Sequence, residues 1–262
     1  MDLKNARILL TGASGGLGQE LARQLNDAGA ALLLAGRDQG RLAALSTSLG
    51  TGVASVCADL GRPAGVVALA GAAREFGINV LINNAGVGAF GLFENQDWPT
   101  IEGVLATNLE APVRLTHALL PWLKAQPQAA IVNIGSTFGS LPFPGFVAYS
   151  AAKAGLRGFS QALRRELADS LVSVVHIAPR AIDTPLNSDA VKALNRALKN
   201  HSDSAEDVAR QIVRALRRGD GESHFGFPER LFAWINGFAP ALIDRGLAGK
   251  LAIIKQHSSS SS

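Results

Sequence analysis

A tyrosine and a lysine four residues apart have the spacing needed for proton-transfer chemistry. In Tyr149-Ser150-Ala151-Ala152-Lys153 the two side chains share one face if the segment is helical. Free tyrosine titrates near pH ~10, which is too high for efficient proton transfer at neutral pH. A lysine ammonium beside it favours the phenolate, so we expect Lys153 to lower the pKa of Tyr149. The alternative is a core tyrosine beside a solvated lysine, although Tyr149 is the only tyrosine in the chain.

A glycine-rich turn near the N-terminus has the sequence of a phosphate-binding loop. The apolar strand predicted at Arg7–Thr11 runs into Thr11-Gly12-Ala13-Ser14-Gly15-Gly16-Leu17-Gly18, and a helical pattern follows. Glycines let the backbone approach a pyrophosphate, and a helix N-terminus presents free N–H groups to it. In this strand–turn–helix context the turn predicts dinucleotide binding, with an ordinary connection as the alternative.

The end of the second predicted strand bears on the choice of nucleotide. The strand Ala30–Ala35 leads into Gly36-Arg37-Asp38. An acidic residue at such a position usually binds the adenosine ribose hydroxyls, and a basic one accommodates a 2′-phosphate. Arg37 therefore favours NADP over NAD. The alternative is that Arg37 is solvated and Asp38 only caps a helix that begins near Gln39.

Strands and helices alternate along the rest of the chain. The further predicted strands are Val53–Ala58, Val80–Ile82, Ala130–Gly135, Leu171–Ala178 and Ser223–Phe227. Between them lie helical segments at about Pro63–Phe76, from residue 96 to about Lys124, and from Tyr149 to about Ser170. This alternation predicts an α/β fold, a doubly wound parallel sheet with helices on both faces. Asp59 and Asn84 follow strand ends, where open parallel sheets bind ligands.

We expect a single domain over residues 1–257. Within it, residues 186–254 are assigned to a substrate lid and a pocket or interface region, with a capping-box-like start to a helix at Ser204-Ala205-Glu206-Asp207. His257 and the serine run 258–262 have the composition of a disordered tail or a cloning remnant.

Composition excludes several classes of protein. The single cysteine, Cys57, excludes a disulfide framework and a thiolate zinc site, and its apolar surroundings predict a buried strand residue. We expect no metal. The N-terminus has no signal-peptide pattern, and no apolar run reaches ~18 residues, so we expect a cytoplasmic protein without a membrane span. The net charge of +4 is dispersed, which disfavours nucleic-acid binding.

Taken together, the motifs resemble those of the short-chain dehydrogenase/reductase family. The matching elements are Thr11-Gly12-x-x-x-Gly16-x-Gly18, Asn83-Asn84-Ala85-Gly86, Ser136 and Tyr149-x-x-x-Lys153. They occur in the family's order and spacing and cover about residues 5–185. The resemblance implies a single-domain Rossmann-type sheet of about seven strands, an NAD(P)-dependent oxidoreductase of class EC 1.1.1.-, and a homodimer or homotetramer.

The resemblance also implies a role for each matching residue. Tyr149 would be the general acid/base, Ser136 would hydrogen-bond the reacting oxygen, and Lys153 would hold the nicotinamide ribose. Asn108 would anchor a water molecule of the proton relay. The implied cofactor-binding residues are Gly12, Ser14, Gly15, Gly16, Leu17, Gly18, Arg37, Asp59, Leu60, Asn84, Ala85, Gly86, Tyr149, Lys153, Pro179, Ile182 and Thr184.

Two positions depart from the family's pattern. Arg180 stands where a glycine usually follows the proline, and it could touch the cofactor diphosphate or an acidic substrate, or point to solvent. Gly15 stands where many NADP-dependent members carry a basic residue, so the preference for NADP(H) rests on Arg37.

The C-terminal segment Pro228–Ile254 is rich in apolar residues but is interrupted by Pro240 and by Asp244-Arg245. We weigh a pocket wall and subunit interface against peripheral membrane contact, and the charges exclude a span. An apolar carbonyl substrate is predicted by a set of loop phenylalanines, Phe90, Phe93, Phe138, Phe143 and Phe146.

The leading hypothesis is an NADP(H)-dependent carbonyl reductase or alcohol dehydrogenase. A 3-oxoacyl thioester reductase, acting on an acyl carrier, is a close alternative. A non-catalytic NADP-binding sensor or scaffold is a third, which the retained Ser136, Tyr149 and Lys153 disfavour.

Overall fold

A computed structural model describes residues 1–219 and 221–258. Its strands are β1 (Arg7–Thr11), β2 (Ala31–Gly36), β3 (Val53–Cys57), β4 (Val80–Asn83), β5 (Ala129–Ile134), β6 (Val172–Ala178), β7 (Ile182–Asp183), β8 (Asp203–Ser204) and β9 (Glu222–His224). Its helices are α1 (Gly16–Asp27), α2 (Gln39–Leu49), α3 (Pro63–Phe76), α4 (Trp98–Leu105), α5 (Ala111–Lys124), α6 (Val147–Glu166), α7 (Asp189–Ala197), α8 (Ala205–Arg218), α9 (Glu229–Phe238), α10 (Pro240–Ala248) and α11 (Leu251–Ser258).

Seven parallel strands form the central sheet in the order β3-β2-β1-β4-β5-β6-β9. The order reverses between β1 and β4, and the carboxyl ends of these strands flank the crevice in which such sheets bind ligands. The two short strands β7 and β8 pair with each other outside this sheet. The predicted fold class, a doubly wound Rossmann-type sheet, is confirmed.

Both faces of the sheet are covered because its strands are apolar on both sides. In β1, Ile8 and Leu10 pack with α1, α2 and α8, whereas Leu9 points to the opposite face and packs with α3, α5 and α6. Successive side chains of a strand point to opposite faces, so a continuous apolar run is what a doubly covered strand requires. The sheet therefore separates two hydrophobic layers and leaves the ends of its strands free for a site.

Cys57 is exposed at the edge of the sheet, although the sequence predicted a buried strand residue. Its strand assignment is correct, but its side chain is exposed and its Sγ donates to the carbonyl of Arg37 at 3.4 Å. β3 is the outermost strand of the sheet, so it is covered less than the central strands. The physical reason is position in the sheet, which the apolar run around Cys57 does not encode.

The long helical region before Lys124 is interrupted by one wide turn. Residues Ala106–Glu110 form a π-helical turn between α4 and α5, and Asn108 lies at its centre. Such turns are rare and are frequent at functional sites. The helix that carries Tyr149 ends at Glu166, four residues earlier than the predicted Ser170.

The C-terminal residues are helical where a tail was predicted. α11 packs against α7, and its Ile254 is buried. His257 lies within α11, and the Ser258 hydroxyl donates to the carbonyl of Lys255 at 2.8 Å. The prediction of a disordered tail is therefore wrong for these two residues, and residues 259–262 lie outside the described part. In residues 1–219 and 221–258 no helix is long and apolar enough to cross a membrane.

Candidate active site

The predicted site residues line one large cavity of about 1880 Å³ at the carboxyl end of the sheet. Single small-molecule pockets usually measure about 300–1,000 Å³, so the volume suits a cofactor together with a substrate. Every residue assigned to catalysis or to the cofactor lines it: Gly12, Ser14, Gly15, Gly16, Leu17, Gly18, Arg37, Asp59, Leu60, Asn84, Ala85, Gly86, Asn108, Ser136, Tyr149, Lys153, Pro179, Ile182 and Thr184. The fold thus brings together residues that are spread over most of the chain.

Helix α6 holds Tyr149 and Lys153 on one face, as their spacing predicts. The Lys153 Nζ atom lies 5.6 Å from the centroid of the Tyr149 ring and donates to the carbonyl of Ile134 at 2.9 Å. Lys153 is only 4% exposed, whereas Tyr149 is half-buried at the cavity wall. The tyrosine ring makes edge contacts with Phe138 and Phe146.

The electrostatics of this pair differ from the prediction. Burial raises the pKa of Tyr149, and the hydroxyl of Ser136 opposes this as a hydrogen-bond partner. Burial also lowers the pKa of Lys153 to about 8. The predicted lowering of the Tyr149 pKa by Lys153 is therefore wrong for the protein alone. The physical reason is desolvation, which disfavours the charged form of both groups.

Ser136 lies where β5 leaves the sheet. Its Oγ accepts a hydrogen bond from the backbone N–H of Phe138 at 3.2 Å and so caps a short 3₁₀ turn, Thr137–Gly139. The preceding Gly135 lies against His176 of β6, since a Cβ there would be 2.3 Å from the His176 Nε2 atom. Any side chain at this position would have to displace either the ring or the strand end that carries Ser136.

Asn108 is oriented by its π-helical turn. Its Nδ2 donates to the carbonyls of Val87 at 2.8 Å and Val104 at 2.9 Å. Its Oδ1 is buried and has no hydrogen-bond partner in the described part of the chain. A buried acceptor of this kind is the type of group that an ordered water satisfies, so the geometry suits the predicted role in a water-mediated relay.

The glycine turn has a backbone shape that side chains would prevent. Gly12 has φ +65°, and a Cβ on Gly18 would lie 2.1 Å from the Gly12 carbonyl oxygen. Helix α1 begins at Gly16, directly above this turn. Free N–H groups of the first helical turn are the groups that bind a diphosphate, so the cradle fits a dinucleotide.

Thr11 is a functional residue to which the sequence analysis assigned no role. Its Oγ1 accepts hydrogen bonds from the backbone N–H groups of Asn84 and Ala85, both at 3.0 Å. The Asn84 side chain in turn donates to the Thr11 carbonyl at 2.9 Å. These bonds join the loop after β4 to the glycine turn after β1. The sequence signal was available, since Thr11 is the last residue of the strand that enters the turn.

The residues predicted to bind the adenosine end of the cofactor differ in whether their side chains already have partners. Arg37 is exposed at the cavity rim. Asp38 caps α2 by accepting from the backbone N–H of Arg41 at 2.9 Å, and it also pairs with the Arg41 side chain at 3.3 Å. Asp38 thus acts as the N-cap of α2, as the alternative interpretation predicted. Asp59 accepts from the backbone N–H of Gly61 at 3.0 Å and stays exposed.

Arg180 takes a different partner from those considered. Its guanidinium binds the Asp203 carboxylate with two hydrogen bonds, at 2.6 and 2.9 Å, and lies 3.6 Å from Glu229. It neither points to solvent nor remains available for a diphosphate. Pro179 just before it accepts hydrogen bonds from the backbone and side chain of Thr137, which connects the end of β6 to the turn after Ser136.

The part of the cavity beside Tyr149 is apolar. Four of the five predicted phenylalanines line it, Phe90, Phe138, Phe143 and Phe146. Phe93 does not, because it lies in a short 3₁₀ turn with its side chain 51% exposed. Further apolar lining comes from α7, α9 and α10: Val191, Leu194, Phe232, Leu242, Ile243 and Leu247. No group of three or more His, Cys, Asp or Glu residues able to hold a metal occurs within the described ranges.

Comparisons with known proteins agree with this architecture. Residues 6–195 match the sequence pattern of the family described as short chain dehydrogenase. Dehydrogenase/reductase SDR family member 7B from Bos taurus is 34% identical over 269 residues, covering 95% of this chain and 82% of that protein.

Two solved structures extend the similarity to cofactor complexes. A short chain dehydrogenase/reductase from Burkholderia phymatum, in complex with NAD, matches with a TM-score of 0.84 at 26% identity and covers 92% of this chain and 96% of its own. A short-chain dehydrogenase from Sphingobium yanoikuyae, in complex with NADPH, has a TM-score of 0.79 at 30% identity and covers 91% and 95%. Both nicotinamide nucleotides thus occur among the similar structures.

Proposed function

The chain belongs to the short-chain dehydrogenase family and is an NAD(P)-dependent oxidoreductase, and from this premise we propose that it interconverts an apolar carbonyl compound and its alcohol with NADP(H). The observation that carries the proposal is the convergence of Ser136, Tyr149, Lys153 and Asn108 in the cavity that also contains the glycine cradle. Bound nicotinamide would supply or accept the hydride. The protein's part is to bind, orient and move a proton.

In the reduction direction, Tyr149 donates its hydroxyl proton to the carbonyl oxygen, on which negative charge develops. Ser136 donates a second hydrogen bond to the same oxygen, and donors placed in advance at that position lower the barrier. Burial raises the pKa of Tyr149 and so keeps it protonated, the form that this direction requires. Lys153 would hold the nicotinamide ribose, and Asn108 would hold the water through which the proton is replaced.

The preference for NADP(H) is supported by the neighbours of Arg37. Arg37 forms no ion pair within the described part of the chain and lies at the rim of the cavity. Asp38, the acidic residue that could bind the ribose hydroxyls, is engaged by the N-terminus of α2 and by Arg41. A free guanidinium at this position suits a 2′-phosphate.

An apolar substrate is supported by the phenylalanines beside Tyr149. Phe138 stacks on Phe143 with ring centroids 5.3 Å apart, and Phe146 lies 5.0 Å from Phe90. This surface favours ring systems or acyl chains over small polar ketones, because its binding energy comes from apolar area.

The first experiment combines nucleotide titration with turnover. We expect NADPH to bind more tightly than NADH, and activity on cyclic and long-chain ketones, tested together with a 3-oxoacyl thioester. Tyr149→Phe should still bind NADPH through the glycine turn and lose activity by roughly 10²-fold or more, because it removes the hydroxyl that carries the transferable proton. Full activity of Tyr149→Phe would refute the assigned mechanism. Tight NADPH binding without turnover on the whole panel would favour the sensor hypothesis.

A further inference from the structure

The helices α9 and α10 are apolar, yet neither has a buried residue in the structure. Their large apolar side chains are instead exposed, with Trp234 at 63% and Phe238 at 75% exposure. Phe227, Leu231 and Leu242 are exposed beside them. Contiguous exposed apolar surface on a soluble protein usually marks an interaction site.

The exposed residues form one defined face. On α9, Leu231, Trp234 and Phe238 follow an i, i+3, i+7 spacing and so share one side of the helix. On the other side of α9, Phe232 lines the cavity while 41% exposed, and Asn236 donates to the carbonyl of Ser140 at 3.1 Å. We call the outward side, formed by Phe227, Leu231, Trp234, Phe238 and Leu242, the aromatic face. Its exposure follows from how α9 is docked and requires no rearrangement.

The aromatic face is continuous with the mouth of the cavity. Leu242 is 59% exposed and also lines the cavity. Lys250 is likewise exposed and lines the cavity. An apolar molecule dissolved in whatever covers this face would therefore reach the cavity without crossing bulk water. A surface that only joined two subunits would have no need of this connection.

The positive charge of the segment that carries the aromatic face favours an anionic partner. Residues 229–258 carry Arg230, Arg245, Lys250 and Lys255 against Glu229 and Asp244, and their net charge is positive by two. Two copies of the chain meeting through this face would bring like charges together. An anionic lipid surface attracts the same charges, and tryptophan with phenylalanine suits its headgroup region.

We propose that the aromatic face binds the surface of an anionic lipid bilayer, with α9 and α10 lying in the plane of the headgroups. The cavity mouth then opens toward the acyl chains and takes its substrate from the bilayer. This delivery step rests on the proposed function, whereas the binding of lipid does not.

Vesicle sedimentation without nucleotide tests the proposal directly. We expect the full chain to bind vesicles of phosphatidylcholine with phosphatidylglycerol, and to bind phosphatidylcholine alone more weakly. Trp234→Ser with Phe238→Ser should weaken binding roughly tenfold or more, because two large apolar side chains no longer enter the interface. Trp98→Ser is the control for loss of an exposed tryptophan, since Trp98 is 64% exposed but begins α4 and is not part of the aromatic face. Arg230→Gln with Arg245→Gln should reduce the preference for anionic vesicles.

Three results would overturn the proposal. One is equal vesicle binding by the Trp234→Ser/Phe238→Ser variant and the unchanged chain. A second is no vesicle binding by either protein. The third is no vesicle binding together with a larger oligomer that light scattering detects for the unchanged chain and not for the variant, which would make the aromatic face a contact between copies. NADPH titration of the same proteins is independent of these results, so failure of the lipid proposal is distinguishable from failure of the proposed function.

Discussion

The ammonium of Lys153 and the hydroxyl of Tyr149 are both placed where burial favours the neutral form. A tyrosine that stays protonated can donate a proton, which is the step that the proposed reduction assigns to Tyr149. The reverse reaction needs the phenolate, which an additional positive charge at the site would have to stabilise. At the scale of single residues, desolvation therefore sets the protonation state in which Tyr149 rests.

Arg37 provides the test of nucleotide choice at this scale. Arg37→Ala should weaken NADPH binding roughly 10- to 100-fold, because a charge-assisted hydrogen bond to the 2′-phosphate is lost, and should change NADH binding little. Fluorescence titration with both nucleotides measures this. Arg165→Ala, which removes an exposed arginine near the end of α6, is the control for net charge. Equal losses for NADPH and NADH would contradict the assignment.

At the scale of elements, the side chain of His176 in β6 limits what the end of β5 can accommodate. His176 of β6 is fully buried, and neither ring nitrogen has a hydrogen-bond partner among the described residues. Its ring occupies the space that a side chain at Gly135 would need. The end of β5, and with it Ser136, thus packs against the His176 side chain as well as the backbone of β6.

This contact has a consequence for stability against acid. Burial lowers the pKa of His176 to about 4, whereas in the unfolded chain the pKa is about 6.5. The difference contributes to the free energy of unfolding, and the contribution is complete at pH values above about 6.5. This contribution is lost as the pH falls from about 6.5 towards 4, because the unfolded chain binds the proton more readily. We expect the unfolding free energy to fall by about 2 kcal/mol from pH 7.5 to pH 5 through this group.

Urea unfolding at several pH values measures the effect, with His176→Leu as the comparison. The variant should lose this dependence between pH 7.5 and 5, whatever its absolute stability. Glu222 does not confuse the result. Although burial opposes its ionisation, hydrogen bonds from Gln161, Arg157 and His224 hold its pKa at about 2, below this range. An unchanged slope in His176→Leu would show that another group carries the acid sensitivity.

At the scale of the whole molecule, Arg180 joins three distant segments. Its guanidinium links the loop after β6 to Asp203 in β8, and it lies beside Glu229 at the start of α9. Arg180 and Glu229 also line the cavity. The position at which the family pattern has glycine therefore serves here to hold β8 and the start of α9 to the end of β6.

A double-mutant cycle tests this connection. Arg180→Met and Asp203→Asn should each cost about 1–3 kcal/mol of unfolding free energy, because each leaves a largely buried charge without its partner. Their coupling energy should be about 1–2 kcal/mol. The exposed pair of Arg210 and Glu206, also at 2.6 Å, is the control and should couple by only about 0.3–0.5 kcal/mol. A coupling no larger than the control would mean that Arg180 does not tie these segments together.

Local sequence patterns determined much of the fold and of the candidate site. The glycine turn, the alternation of strands and helices, and the spacing of Tyr149 and Lys153 were all readable from the sequence. Such features depend on backbone conformation and periodicity within a few residues. For the same reason, the residues that the motifs assigned to the site all line the cavity.

Tertiary structure decided the features that depend on which segments meet. Cys57 is exposed because β3 is an edge strand, and Phe93 faces solvent because its turn lies away from the cavity. The partner of Arg180 is 23 residues away, and the direction of the Tyr149 pKa depends on the surrounding burial. Exposure and desolvation are set by contacts between segments distant in the chain, and no short sequence pattern encodes them.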